Sequence, residues 1–387
     1  MNFNEKQSML KKSLFFFYAF FLLLLPLLGG LSKVNNTFHI ALLIGIILLF
    51  NKTSRDEMLG SPLFKLGLVI TIFFLSYFSL SNLWGPESNT LTSDIKHSFY
   101  IVTFIVLFSF ATMNGNKNTL IMLVFISTVI LCLLTLFLVD KHSFLEMRLQ
   151  NGFSYAPENV IDMAGYYGIG IFCGLILIRE TGKKWLYLPI SLLFISILLT
   201  QSRGPLFSLL VACIPLVLLF KRVHLSHLFI TCVIIIAISL LLIFTSADHI
   251  LLHRLEDSYS QSYIRFGIWG NAIEYIQQKP WFGWGFNQQI NFVNEIGQRV
   301  HTTHSLYFAT LLKGGIFGGI LLSALIIYGF YMAWLQIKQK QALEASIFLF
   351  SLMFYTTQGM FLIGNPGVPW IMFWLPLAIV MALPKRR

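Results

Sequence analysis

Long apolar runs, broken by short polar turns, recur along almost the whole chain. A helix needs about 20 mostly apolar residues to cross a bilayer. Runs of that kind fall near 14–31, 38–50, 63–80, 95–113, 119–139 and 160–178, and again near 185–200, 204–220, 226–245, 305–333, 343–363 and 367–383. They predict an all-α, polytopic transmembrane protein of about twelve spans, organised as a single integral membrane domain over 1–387. The runs are continuous rather than alternating, which excludes a strand barrel.

Two intervals between runs are long, 140–159 and 246–304. Within the second, Ser262 to Gln278 has helical periodicity, with Tyr263, Phe266, Trp269, Ile273 and Ile276 on one face and Gln261, Arg265, Asn271 and Gln278 largely off it. A helix of this kind lies against a membrane surface. Lys279 to Phe286 follows as a Pro- and Gly-punctuated turn carrying interfacial aromatics.

Charge adds a direction. Only 11% of residues are charged, against 56% hydrophobic, where a soluble domain has about 25% charged. Lys and Arg are biased toward cytoplasmic loops. With the N-terminus inside, Lys6, Lys11, Lys12, Lys52, Arg55, Lys117, Arg179, Lys183, Lys184, Lys221, Arg222, Lys338, Lys340, Lys385, Arg386 and Arg387 all fall on the inner face. Both termini are therefore expected in the cytoplasm, with 246–304 outside. The net charge of +11 reports this topology and attraction to anionic lipid, not a nucleic-acid partner. The first run follows a basic stretch but is too long for a signal-peptide core, so it reads as an uncleaved helix. Cys132, Cys173, Cys213 and Cys232 lie inside apolar runs without CxxC spacing and read as small buried residues.

Ionisable groups beside apolar helices are costly and point to chemistry. Three regions qualify, all at outer helix ends. In Thr200-Gln201-Ser202-Arg203-Gly204-Pro205, Ser202 can cap the next helix and Pro205 suits its first turn. An outward helix N-terminus beside the Arg203 guanidinium makes an anion site suited to phosphate; the plain alternative is an arginine snorkelling to the interface. Arg265 is the second, with Arg254 and Arg299 in the same interval, and its plain alternative is a solvated surface charge. The third is Val300-His301-Thr302-Thr303-His304-Ser305, where the dipole of the following helix disfavours imidazolium and a neutral His304 can accept a proton. Here the alternative is an interfacial cap. His301 and His304 are too few for a zinc site, which usually takes three protein ligands, so no metal is expected. Ser202 and Ser305 read as caps, without a GxSxG nucleophile. Walker A, GxGxxG and HExxH patterns are absent from the sequence.

Three matched pieces make the chain resemble the O-antigen ligase family, within the lipid-linked polysaccharide ligases and polymerases of bacterial inner membranes. His304-Ser305, nine residues, then Gly315-Ile316-Phe317-Gly318 follows the family's pattern of His, then Asn, Ser or Gln, nine residues, Gly, two residues, Gly. Many relatives carry Asn where this chain has Ser305. Gln201-Ser202-Arg203-Gly204 resembles the family's arginine-glycine turn between two helices. Ser262, Arg265 and Trp269, followed by Gly283-Trp284-Gly285, resemble the arginine-bearing helix of its large periplasmic loop. Arg148, Asn151, Gly152 and Asn159 match a shorter upstream element more loosely.

The resemblance implies transfer of a polysaccharide from undecaprenyl diphosphate to a hydroxyl of the lipid A core, a step of lipopolysaccharide biosynthesis on the periplasmic side. It implies metal-independent, inverting glycosyl transfer without a cofactor. Arg203 and Arg265 would bind the diphosphate and His304 would activate the acceptor, with His301, Ser305, Arg148 and Asn159 as accessory residues. An O-antigen polymerase would use the same donor with a second lipid-linked chain as acceptor. A protein O-glycosylating relative would be expected to carry a large C-terminal domain. A transporter or flippase would place ionisable residues in mid-membrane, whereas here they gather at outer ends.

Overall fold

A computed structural model describes residues 3–29, 31, 33–86, 90–139, 149, 152–219, 265–293, 297, 299–359 and 361–382. The expected span at 226–245, and Arg148, Asn151, Lys221, Arg222, Arg254, Gln261, Ser262 and Tyr263, lie outside the described residues.

The protein is an all-α membrane protein. Its first helices are α1 (Phe3–Leu28), α2 (Val34–Leu49), α3 (Lys52–Leu59), α4 (Pro62–Leu80), α5 (Leu91–Met113), α6 (Lys117–Leu138) and α7 (Val160–Thr181). Then come α8 (Tyr187–Thr200), α9 (Arg203–Ala212), α10 (Ile214–Leu219) and α11 over 265–278. The chain closes with α12 (Leu306–Lys338), α13 (Ala342–Thr357), a π-helical turn at Trp370–Trp374 and α14 (Leu375–Met381). Local sequence sets several starts. Asn51 Oδ1 accepts the Ser54 N–H at 3.1 Å, Ser61 Oγ accepts Phe64 N–H at 3.3 Å ahead of Pro62, and Asn159 Oδ1 accepts Ile161 N–H at 2.8 Å.

Among the described residues, six helices are long and apolar enough to cross a membrane by length and composition: α1, α4, α5, α6, α7 and α12. The α2–α3 pair makes a seventh if counted as one span, bent by 118°. The runs near 185–200, 204–220, 343–363 and 367–383 yield shorter apolar helices. The central element is α7, buried along nearly its whole length. Its small residues let neighbours approach closely: a Cβ at Gly168 would strike Phe350, and one at Gly174 would sit 2.7 Å from Phe125 and Ile190.

Ion pairs and amides show which helix ends share a side. Glu344, at the start of α13, is fully buried and receives Lys117 Nζ from the start of α6 at 2.6 Å and the Arg179 guanidinium from the end of α7 at 2.6 and 2.7 Å. Gln336, near the end of α12, donates to the Val380 carbonyl at the end of α14 at 3.2 Å. Lys11 reaches Glu57 at 2.6 Å. Lys117 and Arg179, two of the residues assigned above to the inner face, thus share one carboxylate. At the far end, His97 bonds Asn365 at 2.9 Å and Asn287 Nδ2 donates to Asn82 Oδ1 at 2.9 Å.

The run near 305–333 is not one straight helix. At Gly315 (φ 60, ψ −158) α12 breaks, and the turn at 280–285 enters the break. Trp284 N–H donates to the Leu312 carbonyl at 3.0 Å and Gly285 N–H to Lys313 at 2.9 Å, while Ile316 N–H donates to Pro280 at 2.7 Å and Phe317 N–H to Trp281 at 3.2 Å. Backbone groups released by the break are therefore re-satisfied, as a spanning helix requires. Tyr77 Oη adds a hydrogen bond to the Gly314 carbonyl at 2.7 Å. A Cβ at Gly315 would strike the Trp281 backbone, so both the left-handed φ and the close approach demand glycine there.

Candidate active site

Arg203 and His304 are far apart in sequence, and the end of α13 packs against the neighbour of the one and the backbone of the other. The apolar run near 343–363 does not continue as helix: α13 stops at Thr357, and Gln358-Gly359 leave it. Thr357 Oγ1 lies 2.7 Å from where a Gly204 Cβ would be. Gln358, itself buried, donates through Nε2 to the buried Asp162 carboxylate in the first turn of α7 at 2.9 Å. A Cβ on Gly359 would strike the N and Cα of His304. Three consecutive residues, spanning no more than about 7 Å of chain, thus touch the arginine turn, the start of α7 and the histidine.

Backbone geometry sets both partners apart from ordinary helix ends. Gln201 (φ 53) and His304 (φ 47) hold left-handed conformations uncommon for side-chain-bearing residues. Gln201 turns the chain sharply out of α8, so that Arg203 begins α9 exposed at the surface. Leu149 donates its N–H to the Leu199 carbonyl at 3.0 Å, close to this turn.

His304 is half-buried and is approached by α11. Trp269 Nε1 donates to the Thr303 carbonyl at 3.0 Å, and its ring stacks on Phe308 with centroids 5.3 Å apart. Arg265, one turn earlier on the same helix, acts electrostatically on the imidazole. Burial first, and the Arg265 charge second, hold the His304 pKa below its ordinary value. The neutral ring expected from the helix dipole is therefore favoured for a different reason.

Other expected residues fall as follows. Ser202 and Ser305 occupy N-cap positions, but neither side chain makes a capping bond. Ser202 Oγ donates instead to the Thr200 carbonyl at 3.4 Å, and the Ser305 N–H donates to Thr303 Oγ1 at 3.4 Å. Asn159 caps α7, one turn from Asp162. His301 is exposed, and among the described residues no group of three or more His, Cys, Asp or Glu gathers as a metal site would. The apolar face read on the 262–278 helix is only partly the buried one: Trp269 and Ile276 pack against Ile268, Ala272, Ile290 and Leu312, which the sequence reading left out, while Phe266 and Ile273 are exposed.

Sequence reasoning passed over Asp162, Thr357, Gln358 and Gly359. An acid in the first turn of a nearly uncharged helix, and an amide inside an apolar run, were the available signals. Lys313 was missed as well. It is half-buried, next to the Gly314-Gly315 break, and its ammonium donates to the carbonyls of Phe286 and, at 3.1 Å, Gln288. It clamps the inserted turn.

The stretch holding Arg203, Arg265, His304, Gly315 and Gly318 can now be set against known families. Residues 188–323 match the family described as O-antigen ligase. Over this stretch the chain resembles that family. It is also similar to a protein named O-antigen ligase from Pseudomonas aeruginosa, at 27% identity over 335 residues, covering 84% of this chain and 78% of that relative. The match begins inside α8 and runs past the break in α12, so both helix junctions fall within the family's own region. With its apolar helices, this similarity points to a membrane-embedded protein of glycosyltransferase type.

Proposed function

We propose that this protein transfers a polysaccharide from undecaprenyl diphosphate to a hydroxyl of the lipid A core, at the periplasmic face of the bacterial inner membrane. The observation that carries this reading is the contact of one segment, 357–359, with both the Arg203-Gly204 turn and His304, with Arg265 acting on the same imidazole. Two guanidinium groups can neutralise a diphosphate leaving group in a bidentate manner. A neutral His304 takes the proton of the acceptor hydroxyl as its oxygen attacks the anomeric carbon. The C–O bond to the diphosphate breaks on the opposite side, which inverts the anomeric centre.

The order of binding matters in this scheme. Arg265 disfavours a proton on His304 in the free enzyme. A diphosphate docked on Arg265 offsets that charge, so donor binding raises the proton affinity of the base when the acceptor must be deprotonated.

Reconstitution tests the reading. Purified protein receives an undecaprenyl-diphosphate glycan with either lipid A core or a second lipid-linked glycan as acceptor. Glycosylated lipid A supports ligation; lengthened lipid-linked chains alone mean a polymerase. If His304→Ala and Arg203→Ala fold and retain full transfer rates, the site assignment is wrong. Loss of activity on thorough chelation would overturn the metal-independent scheme.

A further inference from the structure

The opposite end of the bundle holds a cavity of about 460 Å³. Gln7, Ser8, Lys11 and Lys12 of α1 line one side, and Phe110, Asn114 and Asn116 at the end of α5 and start of α6 line the other. Asn116 directly precedes Lys117, which pairs with Glu344 at the start of α13, whereas His304 meets the end of α13. The cavity and the proposed active site therefore lie at opposite ends of that 16-residue helix, about 24 Å apart along its axis.

Three features give the cavity an anionic preference. Lys11 and Lys12 both line it, and of these Lys11 is paired with Glu57 at 2.6 Å. The cavity also contains the N-cap position of the 22-residue α6, where Asn116 makes no side-chain capping bond, so the positive end of that helix adds to the lysines. Gln7 Nε2 donates to Ser54 Oγ and Asn114 Nδ2 to the Phe110 carbonyl, so the second N–H of each amide and the Ser8 hydroxyl are the neutral hydrogen-bonding groups along the wall. Leu14, Phe15, Phe110 and Ala111 make an apolar floor beneath them. On the neighbouring strip of α1, Met9 and Phe16 are exposed, so the cavity borders the lipid-facing surface.

We infer that this cavity binds the phosphate headgroup of an anionic glycerophospholipid, with the glycerol and upper acyl chain against Phe15 and Phe110. A polar mouth over an apolar floor at a helix end suits an amphiphile better than a free anion. Basic pockets between helices are a recurrent way to hold acidic headgroups.

The test uses the full chain in neutral detergent. Native mass spectrometry and thermal midpoints are followed on titration with phosphatidylglycerol, phosphatidylcholine or inorganic phosphate. Phosphatidylglycerol is expected to be retained and to raise the midpoint, and phosphatidylcholine is not. Lys12→Gln, an exposed position whose loss leaves folding intact, should weaken retention about five-fold, and Lys11→Gln should weaken it further. Lys183→Gln, an exposed lysine on the same side, should leave it unchanged. Equal weakening by Lys12→Gln and Lys183→Gln would overturn the site in favour of diffuse surface charge. Stabilisation by inorganic phosphate alone, matching that of the lipid, would overturn the lipid assignment.

Discussion

The two ends of α13 solve opposite problems. At its start, Glu344 is buried beneath Arg179 and Lys117, so a carboxylate taken out of water has two cations from two other helices. At its end, Thr357-Gln358-Gly359 leave the helix and touch three elements through one amide hydrogen bond and two close approaches to backbone. The first end binds helices to one another. The second joins the Arg203-Gly204 turn, the start of α7 and the His304 backbone, where the proposed site lies. A membrane protein can afford buried charge where it is fully paired, and it keeps its functional junction small so that backbones can meet.

The contrast predicts different failures. Glu344→Ala should be the most damaging change to stability. Removing one partner of a buried ion pair costs about 3–5 kcal/mol, read as a large fall in the thermal midpoint in detergent. Gly359→Ala should act at the other end. Overpacking against the His304 backbone costs about 1–3 kcal/mol, and expressed in the transition state this lowers transfer roughly ten- to a hundred-fold. A full transfer rate in a folded Gly359→Ala protein would break the link between this segment and His304. Asp162→Ala should come next, since it leaves Gln358 Nε2 buried without its acceptor at about 1–3 kcal/mol. Asp162→Asn keeps an acceptor oxygen and should restore most of the transfer rate, which a role for the charge itself would not allow.

The smallest effect concerns pH. A base whose pKa is lowered stays neutral to lower pH than an ordinary histidine, so the transfer rate should hold below the usual imidazole range and fall only at more acidic pH. Arg265→Gln removes one cause of that lowering and should move the acid limb upward. A limb that stays in place in kcat/KM for the donor, which reports groups of the free enzyme, would detach Arg265 from His304.

Much of the candidate site leaves a mark in the sequence. His304, the Gly315 and Gly318 spacing, the Arg203-Gly204 turn and Trp269 each leave a local mark, because a left-handed glycine, a sharp turn between apolar runs and an interfacial ring depend on neighbours in sequence. Asp162 and Gln358 leave only a faint one. A single acid or amide in an apolar run looks the same whether it is a cap, a buried pair or a bridge, and what separates these is a partner 196 residues away. The capping roles read for Ser202 and Ser305 failed for a related reason, as the hydroxyl of each residue, or of its neighbour, is engaged by loop backbone.

By itself, the sequence determined the all-α membrane class, the positions of the apolar helices and the short list of cations and histidine that interrupt them. These follow from the cost of exposing backbone and charge to lipid, which acts residue by residue. The break of α12 around the 280–285 turn, the packing of 357–359 against Gly204 and the His304 backbone, and the burial of Glu344 were decided only in tertiary structure. Each depends on which helix ends come within hydrogen-bond reach, and apolar periodicity carries no information about that.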